Sequence, residues 1–175
     1  REVAWAGLAS PQAALELFQR ANDLAGNGLT AFELAIDRAV DFSVRHIPGN
    51  APPLEGAHPW YVLVEISSGR SAQDARTLME ALLGGAFEDG LVADAAVAGS
   101  LAQADAFWRL RESMSDSQKP EGASIKHDIS VPVSSIPGFI ERAGTQVQRV
   151  APGARLVAFG HMGDGNLHFN VSQPV

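Results

Sequence analysis

Apolar and polar residues follow two different periods along this chain, and the period changes at regular intervals. Apolar runs or alternation, which are typical of β-strands, occupy residues 2–8, 29–34, 60–67, 91–98, 124–131, 155–161 and 167–171. The 3.6-residue period of amphipathic helices occupies residues 11–26, 36–46, 101–116 and 135–150, and a further helix runs from residue 71 to between 84 and 90. Nearly every helix is therefore predicted to lie between two strands.

Several helix boundaries carry signals of their own. Ser10 followed by Pro11 predicts an N-cap and a first-turn proline. Ser71 with Asp74 three residues later predicts a second capped helix. Residues 47–59 are rich in Pro and Gly and form the longest predicted break between elements.

This order of elements fits either a doubly wound parallel sheet or an antiparallel α+β sheet. In residues 124–131 the apolar Ile125 and Ile129 alternate with the polar Lys126 and Asp128, which favours a sheet with one solvated or site-facing side. We therefore predict an α+β, ferredoxin-like fold. Its largely antiparallel sheet is built from two βαβ-type halves with helices on one face, and residues 1–175 form one domain.

Composition narrows the classes of function. The 175 residues carry a formal net charge of −7 and no basic run, which argues against a nucleic-acid or anionic-membrane surface. The absence of cysteine excludes disulfides, thiolate zinc sites and cysteine nucleophiles. No apolar stretch approaches the roughly 20 residues that span a bilayer, so a soluble, cytoplasmic protein is expected. Neither GxGxxG nor GxxxxGK[ST] is present, so no phosphate-binding loop is expected.

The segment GHMGDGNLHFN, residues 160–170, combines two histidines with a turn sequence. If the flanking runs are strands joined by a tight turn, Asp164 and Gly165 form the favoured two-residue loop. Both central positions of a type I′ turn need positive φ, which an Asp-Gly pair tolerates. This turn would fix the register of the whole hairpin.

In that register His161 lies opposite His168, with Cβ atoms roughly 5 Å apart on one face of the sheet. Both rings could then reach one metal ion, and Asn170 would lie on the same face. Positions on the metal would stay open for another protein ligand and a substrate. A turn at Gly165 and Asn166 would instead pair the strands in a register that separates the two rings. The alternative without function is a turn flanked by two histidines on the surface of the sheet.

Helical projection of residues 101–116 places a cation on an apolar face. Phe107, Leu110 and Met114 share one arc, Arg111 falls near its middle, and Ser115 follows one turn later. A buried cation needs a partner, and the planar guanidinium suits a carboxylate. Arg111 is therefore predicted to line a wet carboxylate-binding pocket, to pair with an internal Asp or Glu, or to extend past the apolar face to water.

The predicted strand at 124–131 contains two candidate ligand-binding residues. Lys126 shares the polar face of this strand with Asp128 and Ser130, so solvent exposure is its alternative to ligand binding. His127 shares the other face and is interpreted as a core or edge histidine.

Together these motifs resemble the C-terminal (cap) domain of the FAD-linked oxidases, the family of D-lactate, glycolate and D-2-hydroxyglutarate dehydrogenases. The resemblance runs along the whole chain through the segments AWAGLASPQAALEL, TAFEL, FWRLRES, KHDISVPVSSIPGFI and FGHMGDGNLHFNV. The last segment is the most specific. The resemblance implies that His161 and His168 are ligands of a divalent metal, with zinc expected, and that FAD is the redox cofactor.

The resemblance also implies a substrate site. Arg111 and Lys126 match positions that hold substrate carboxylates, Ser115 matches a hydroxyl-bearing position in the same pocket, and Asn170 matches an asparagine beside the substrate. The implied activity is oxidation of a small D-2-hydroxy acid to the 2-oxo acid by hydride transfer to FAD. No nucleic-acid partner is expected. A homodimer is a candidate assembly.

Two parts of the family pattern have no counterpart here. The N-terminal FAD-binding domain is missing, and so is a Glu-His motif beyond the hairpin that supplies the third metal ligand and a candidate base. The chain is therefore expected to be a fragment, inactive alone, whose partner is the FAD-binding domain of the same full-length protein.

Two other classes of function are alternatives to this activity. A non-catalytic α+β ligand-binding or oligomerisation module would need the hairpin only as a turn. A metallohydrolase would need a water-activating carboxylate near the histidines, and Asp164 at the tip of the turn is poorly placed for that role.

Overall fold

The computed structural model describes all 175 residues, and its centre is one sheet of eight strands. The strands are β1 (Glu2–Leu8), β2 (Leu29–Ile36), β3 (Trp60–Ile66), β4 (Asp94–Val97), β5 (Ser124–Ile125), β6 (Asp128–Ser130), β7 (Arg155–His161) and β8 (Asn166–Ser172). Their order is β4-β1-β3-β2-β7-β8-β5, and β6 also pairs with β8. Every pairing is antiparallel, which confirms the predicted α+β class.

Five α-helices connect the strands: α1 (Pro11–Ala25), α2 (Asp37–His46), α3 (Ala72–Glu88), α4 (Leu101–Glu112) and α5 (Ile136–Val150). Ser10 accepts the backbone N–H of Ala13 at 3.1 Å, and Ser71 accepts that of Asp74 at 3.0 Å. Both predicted N-caps are therefore present. No helix combines the length and the apolar character needed to cross a membrane.

The sheet consists of two related halves. In the first, β1, α1, β2, β3, α3 and β4 give the strand order β4-β1-β3-β2 of a ferredoxin-like unit. In the second, β6, α5, β7 and β8 repeat the first part of this pattern, with β8 between β7 and β6. The halves join where residues 33–35 of β2 pair with residues 159–161 of β7.

Helices cover both faces of the sheet, so the expectation of helices on one face is wrong. One core contains α1, α3 and α5 packed on the face that carries Ala4 and Val62. The other contains α2 and α4 packed on the face that carries Trp5 and Leu63. In the central strands both the odd-numbered and the even-numbered residues are apolar. Both faces of the sheet are therefore apolar, and each has to be covered by helices.

The fourth helix is shorter than predicted. It ends at Glu112 instead of residue 116, and residues 116–121 form a 3₁₀-helix. The Ser113 hydroxyl donates to the Leu110 carbonyl at 3.1 Å, a local bond of the kind that competes with helical continuation. Met114 still packs in the core with Phe107 and Leu110, as predicted, whereas Ser115 is exposed.

The predicted strand at 124–131 is interrupted between β5 and β6. At His127 the backbone N–H donates to the side-chain oxygen of Asn170 at 3.1 Å, and the carbonyl accepts from the Phe169 N–H at 2.8 Å. A side chain of β8 thus replaces one ladder contact. The simple alternation across Lys126 is lost as a result.

Candidate active site

The β7–β8 hairpin has a register different from the predicted one. His161 pairs with Asn166, and His168 pairs with Phe159, so the expectation that the two histidines are directly opposite is wrong. The loop contains four residues, Met162 to Gly165, instead of two. Because the register differs by two positions and side chains alternate with period two, both imidazoles still lie on one face of the sheet.

Gly165 shows why this loop forms. Its φ is +83°, and its N–H donates to the Met162 carbonyl at 3.2 Å. A Cβ placed on it would lie 2.1 Å from the carbonyl oxygen of Val131. The loop therefore needs glycine both for its left-handed conformation and for its contact with the chain after β6.

Replacing Gly165 with alanine is expected to lower the free energy of unfolding by roughly 1–3 kcal/mol, because the side chain adds backbone strain and a steric clash. Urea denaturation measures the loss. Gly163→Ala is the matched control, since its Cβ would meet only side-chain atoms at 3.7 Å or more and its φ is not positive. An equal loss in the two variants would show that the loop does not depend on Gly165.

Glu33 connects two of the predicted site residues. It lies on β2 directly opposite His161, and its carboxylate is almost completely buried. Its Oε1 is 2.7 Å from His161 Nδ1, and its Oε2 is 2.9 Å from Arg111 Nε and 2.7 Å from Arg111 Nη2. Of the three alternatives stated for Arg111, the structure shows pairing with an internal carboxylate.

Arg111 keeps a free hydrogen-bonding edge. Nε and Nη2, the two nitrogens on one side of the guanidinium, face Glu33, whereas Nη1 makes no protein hydrogen bond. The Arg111 side chain as a whole is buried, with 7% of its surface exposed. The guanidinium also lies 5.2 Å above the Phe159 ring.

His168 is held in a similar way from the other side of the hairpin. Its Nδ1 is hydrogen bonded to Asp128, the residue opposite it on β6. Its ring stacks on Phe159 with centroids 4.8 Å apart. In both histidines a carboxylate occupies Nδ1, and neither Nε2 has a hydrogen-bond partner.

Asn170 lies on the same face but deeper. It is 2 % exposed, donates to Gln118 Oε1 at 3.1 Å and accepts from the His127 N–H. Its amide thus links β8 to the segment that follows α4 and to the start of β6.

The remaining two predicted residues are not joined to this cluster. Lys126 and Ser115 are both exposed. Lys126 lies near Asp116, where a hydrogen bond from Lys119 lowers the pKa of the Asp116 carboxyl and the charge of Lys126 adds a smaller contribution. No contact brings Lys126 or Ser115 to Arg111.

A cleft of about 280 Å³ opens beside Glu33 and His161. Because β2 and β7 pair only over three residues, the sheet is open beyond His161, and α1 forms the far wall through Phe18 and Asn22. Asp164 also lines the cleft, but its carboxylate accepts the Asn166 N–H at 3.0 Å. One oxygen of the Asp164 carboxylate, the candidate water-activating group of a metallohydrolase, is thus used to hold the loop.

A second Glu-His-Arg group lies outside the site. Glu121 is bonded through Oε1 to His46 Nε2 at 2.6 Å and through Oε2 to Arg155. The hydrogen bond from His46, followed by that from Arg155, lowers the pKa of the Glu121 carboxyl. This group ties the 3₁₀-helix after α4 to α2 and β7.

No group of three or more His, Asp or Glu residues is arranged to hold a metal ion. The chain therefore offers two imidazole nitrogens on one face of the sheet, not a complete metal site. Glu33 and Asp128 were not predicted. Each is the residue paired with one of the histidines on the neighbouring strand.

Comparison with known families settles the relationship. The model of the family described as "FAD linked oxidases, C-terminal domain" matches residues 1–175. The chain belongs to this family. Within it, this FAD-linked oxidase domain is 34% identical over 147 residues to a protein of Arabidopsis thaliana named D-2-hydroxyglutarate dehydrogenase, mitochondrial. That alignment covers 84% of the chain and 26% of the relative.

Other relatives of this FAD-linked oxidase domain carry similar names. A D-2-hydroxyglutarate dehydrogenase of Xanthomonas citri is 37% identical over 146 residues, which cover 83% of the chain and 30% of that protein. A mitochondrial one of Danio rerio is 31% identical over 172 residues, covering 98% and 31%. The domain thus spans about a quarter to a third of the length of these relatives.

Among solved structures, p-cresol methylhydroxylase with substrate bound matches 99% of the domain with a TM-score of 0.63. The match covers 38% of that chain at 10% sequence identity, so it shows a shared fold alone. The assignment to the FAD-linked oxidases therefore rests on the family model and on the relatives described above.

Proposed function

We propose that this domain supplies the substrate-binding and metal-binding part of an enzyme that oxidises a D-2-hydroxy acid to the 2-oxo acid. One observation carries the proposal. His161 and His168, each with a free Nε2, lie on one face of the sheet, where the Phe159 ring contacts both His168 and Arg111. The names of the relatives support the hydroxy-acid class, with 2-hydroxyglutarate as the first substrate to test.

The donors fit a divalent metal. A carboxylate on Nδ1 leaves Nε2 as the unprotonated nitrogen, and this outer partner is the usual companion of a metal-binding histidine. His161 and His168 would hold the ion, and zinc suits two neutral imidazoles with open positions. Because the chain offers only two such ligands, a third has to come from the substrate or from residues beyond these 175.

The side chains around the metal ligands would bind and orient the substrate. The free edge of Arg111 would bind the C1 carboxylate through two hydrogen bonds, which fixes both position and plane. Glu33 already balances the charge of Arg111, so the substrate adds one negative charge to a neutral pair. Asn170, Lys126 and Ser115 stay predicted substrate contacts: Asn170 is buried, and Lys126 and Ser115 are exposed.

When bound, the metal ion supplies polarisation of the C2 oxygen and the flavin supplies the hydride acceptor. This chain's own part is to place the carboxylate so that the C2–H bond faces the flavin, which would be held by an FAD-binding domain of the full-length protein. Homodimer formation and a cytoplasmic location stay predictions.

The test is reduction of bound FAD in the full-length protein under anaerobic conditions. D-2-hydroxyglutarate or D-lactate is expected to bleach the flavin absorbance, the L-enantiomers to do so far more slowly, and a chelator to remove both the metal and the reaction. Added zinc should restore it. A folded full-length protein whose flavin and metal content respond to none of these would identify a non-catalytic ligand-binding or oligomerisation module instead.

A further inference from the structure

Glu33 is the one side chain that contacts both the predicted metal ligand and the predicted carboxylate ligand. Its two oxygens are used separately, Oε1 by His161 and Oε2 by Arg111. We propose that Glu33 is a positioning residue that sets the tautomer of His161 and the orientation of Arg111 together. This inference rests on the proposed function, since it assigns how that same site is organised.

The contact with His161 determines which nitrogen carries the proton. A carboxylate can only accept hydrogen bonds, so a neutral His161 must donate through Nδ1–H. Its Nε2 is then the nitrogen with the free lone pair. His161 is about half exposed, and nothing else in the chain bonds to its ring, so Glu33 alone makes this selection.

The contact with Arg111 determines which edge of the guanidinium is free. Oε2 of Glu33 holds Nε and Nη2. The donors left for a substrate are therefore Nη1 and the second N–H of Nη2. The Phe159 ring also contacts the guanidinium, with its centroid 5.2 Å from Cζ. One buried carboxylate thus orients a metal ligand and a carboxylate ligand relative to each other.

The position of Glu33 is itself set by the backbone. It pairs with His161 in the three-residue ladder that joins the two halves of the sheet. The contact therefore depends on strand pairing and not on a flexible loop.

A second glutamate, Glu121, contacts a different ring nitrogen of its histidine than Glu33 does. It also joins a histidine and an arginine, but it binds His46 through Nε2, so the opposite nitrogen is selected. It lies outside the site, and 9% of its side chain is exposed, compared with 5% for Glu33. Glu121→Gln is therefore a matched control for Glu33→Gln.

The experiment is ¹⁵N NMR of the full-length protein labelled at histidine, after chelator treatment and at a pH above the ordinary imidazole pKa of about 6.5. Loss of signals in His161→Gln assigns the ring. In the unmodified protein the proton is expected on Nδ1. In Glu33→Gln the amide oxygen should turn to the charged Arg111 and the amide N–H₂ to His161, so the proton should move to Nε2.

Zinc affinity provides the second readout. Glu33→Gln is expected to weaken zinc binding by about 10–100-fold, the effect typical of removing an outer partner of a ligating histidine. Glu121→Gln should leave both the His161 tautomer and zinc affinity within about twofold of the unmodified protein.

Two results would overturn the positioning role: a proton on Nε2 of His161 in the unmodified protein, or an unchanged tautomer in Glu33→Gln. The first needs no variant, so it decides the matter even if Glu33→Gln does not fold. If the unmodified full-length protein binds no zinc, the proposed metal site fails, and the tautomer comparison still tests Glu33.

Discussion

Replacing Arg111 with alanine in the full-length protein is expected to raise KM and to reduce kcat/KM for D-2-hydroxy acids by at least about a hundredfold. The loss has two sources. The fork that orients the substrate carboxylate disappears, and Glu33 is left as a buried carboxylate without its cation. Breaking a buried pair in this way costs about 3–5 kcal/mol of stability, so circular dichroism and urea denaturation have to accompany the kinetics.

Arg111→Lys separates these two effects. Lysine keeps a positive charge near Glu33 but lacks the planar fork, so the protein should fold while KM stays raised. Arg109→Lys is the control, because Arg109 lies on the same helix and bonds only to the loop at Gly49 and Asn50. If Arg111→Lys folds and its kcat/KM stays within about twofold of the unmodified value, Arg111 does not hold the substrate.

The elements of the fold were predictable because local signals agree with the tertiary structure. Ser10 and Ser71 cap the helices they were expected to cap, and β1 and β3 occupy the predicted runs. Helices on both faces were harder to predict. The apolar residues of both parities in Val3 to Leu8 carried that signal, since a strand apolar on both sides needs two covers.

The hairpin register could not be read from its turn sequence. Asp164 and Gly165 favour a two-residue loop locally, but Gly165 N–H bonds Met162 and Gly165 C=O accepts from Val131. These contacts, one of them with a distant segment, stabilise a four-residue loop. The prediction that both histidines lie on one face is nevertheless correct, because the observed register differs from the predicted one by an even number of residues.

The carboxylates behind the histidines are long-range features. Glu33 is 128 residues from His161 and 78 from Arg111 along the chain, so only the strand order brings them together. A signal existed in the sequence: an inward-facing Arg111 demands an acidic partner, and Glu33 stands between apolar residues of a predicted strand. Asp128 was seen as a polar strand residue, but its partner depends on the pairing of β6 with β8.

Removing either imidazole is expected to abolish stoichiometric zinc binding by the full-length protein. In His161→Ala or His168→Ala the chain keeps only one of its two nitrogen donors, so the loss should exceed the roughly 10–100-fold caused by losing an outer partner. Oxidation of D-2-hydroxy acids should fall with the metal content. Elemental analysis after gel filtration measures the metal, and anaerobic flavin reduction measures the activity.

His127→Ala is the matched control for these variants. His127 lies one residue before Asp128, but its Nδ1 contacts the backbone oxygen of Phe169 instead of a carboxylate. Its replacement should leave zinc at the level of the unmodified protein. Full zinc content in His161→Ala or His168→Ala would show that the ion, if bound, is held elsewhere. The pairing of each Nδ1 with a buried or neighbouring carboxylate would then be a feature of sheet stability alone, because Glu33 and Asp128 would orient rings that bind nothing.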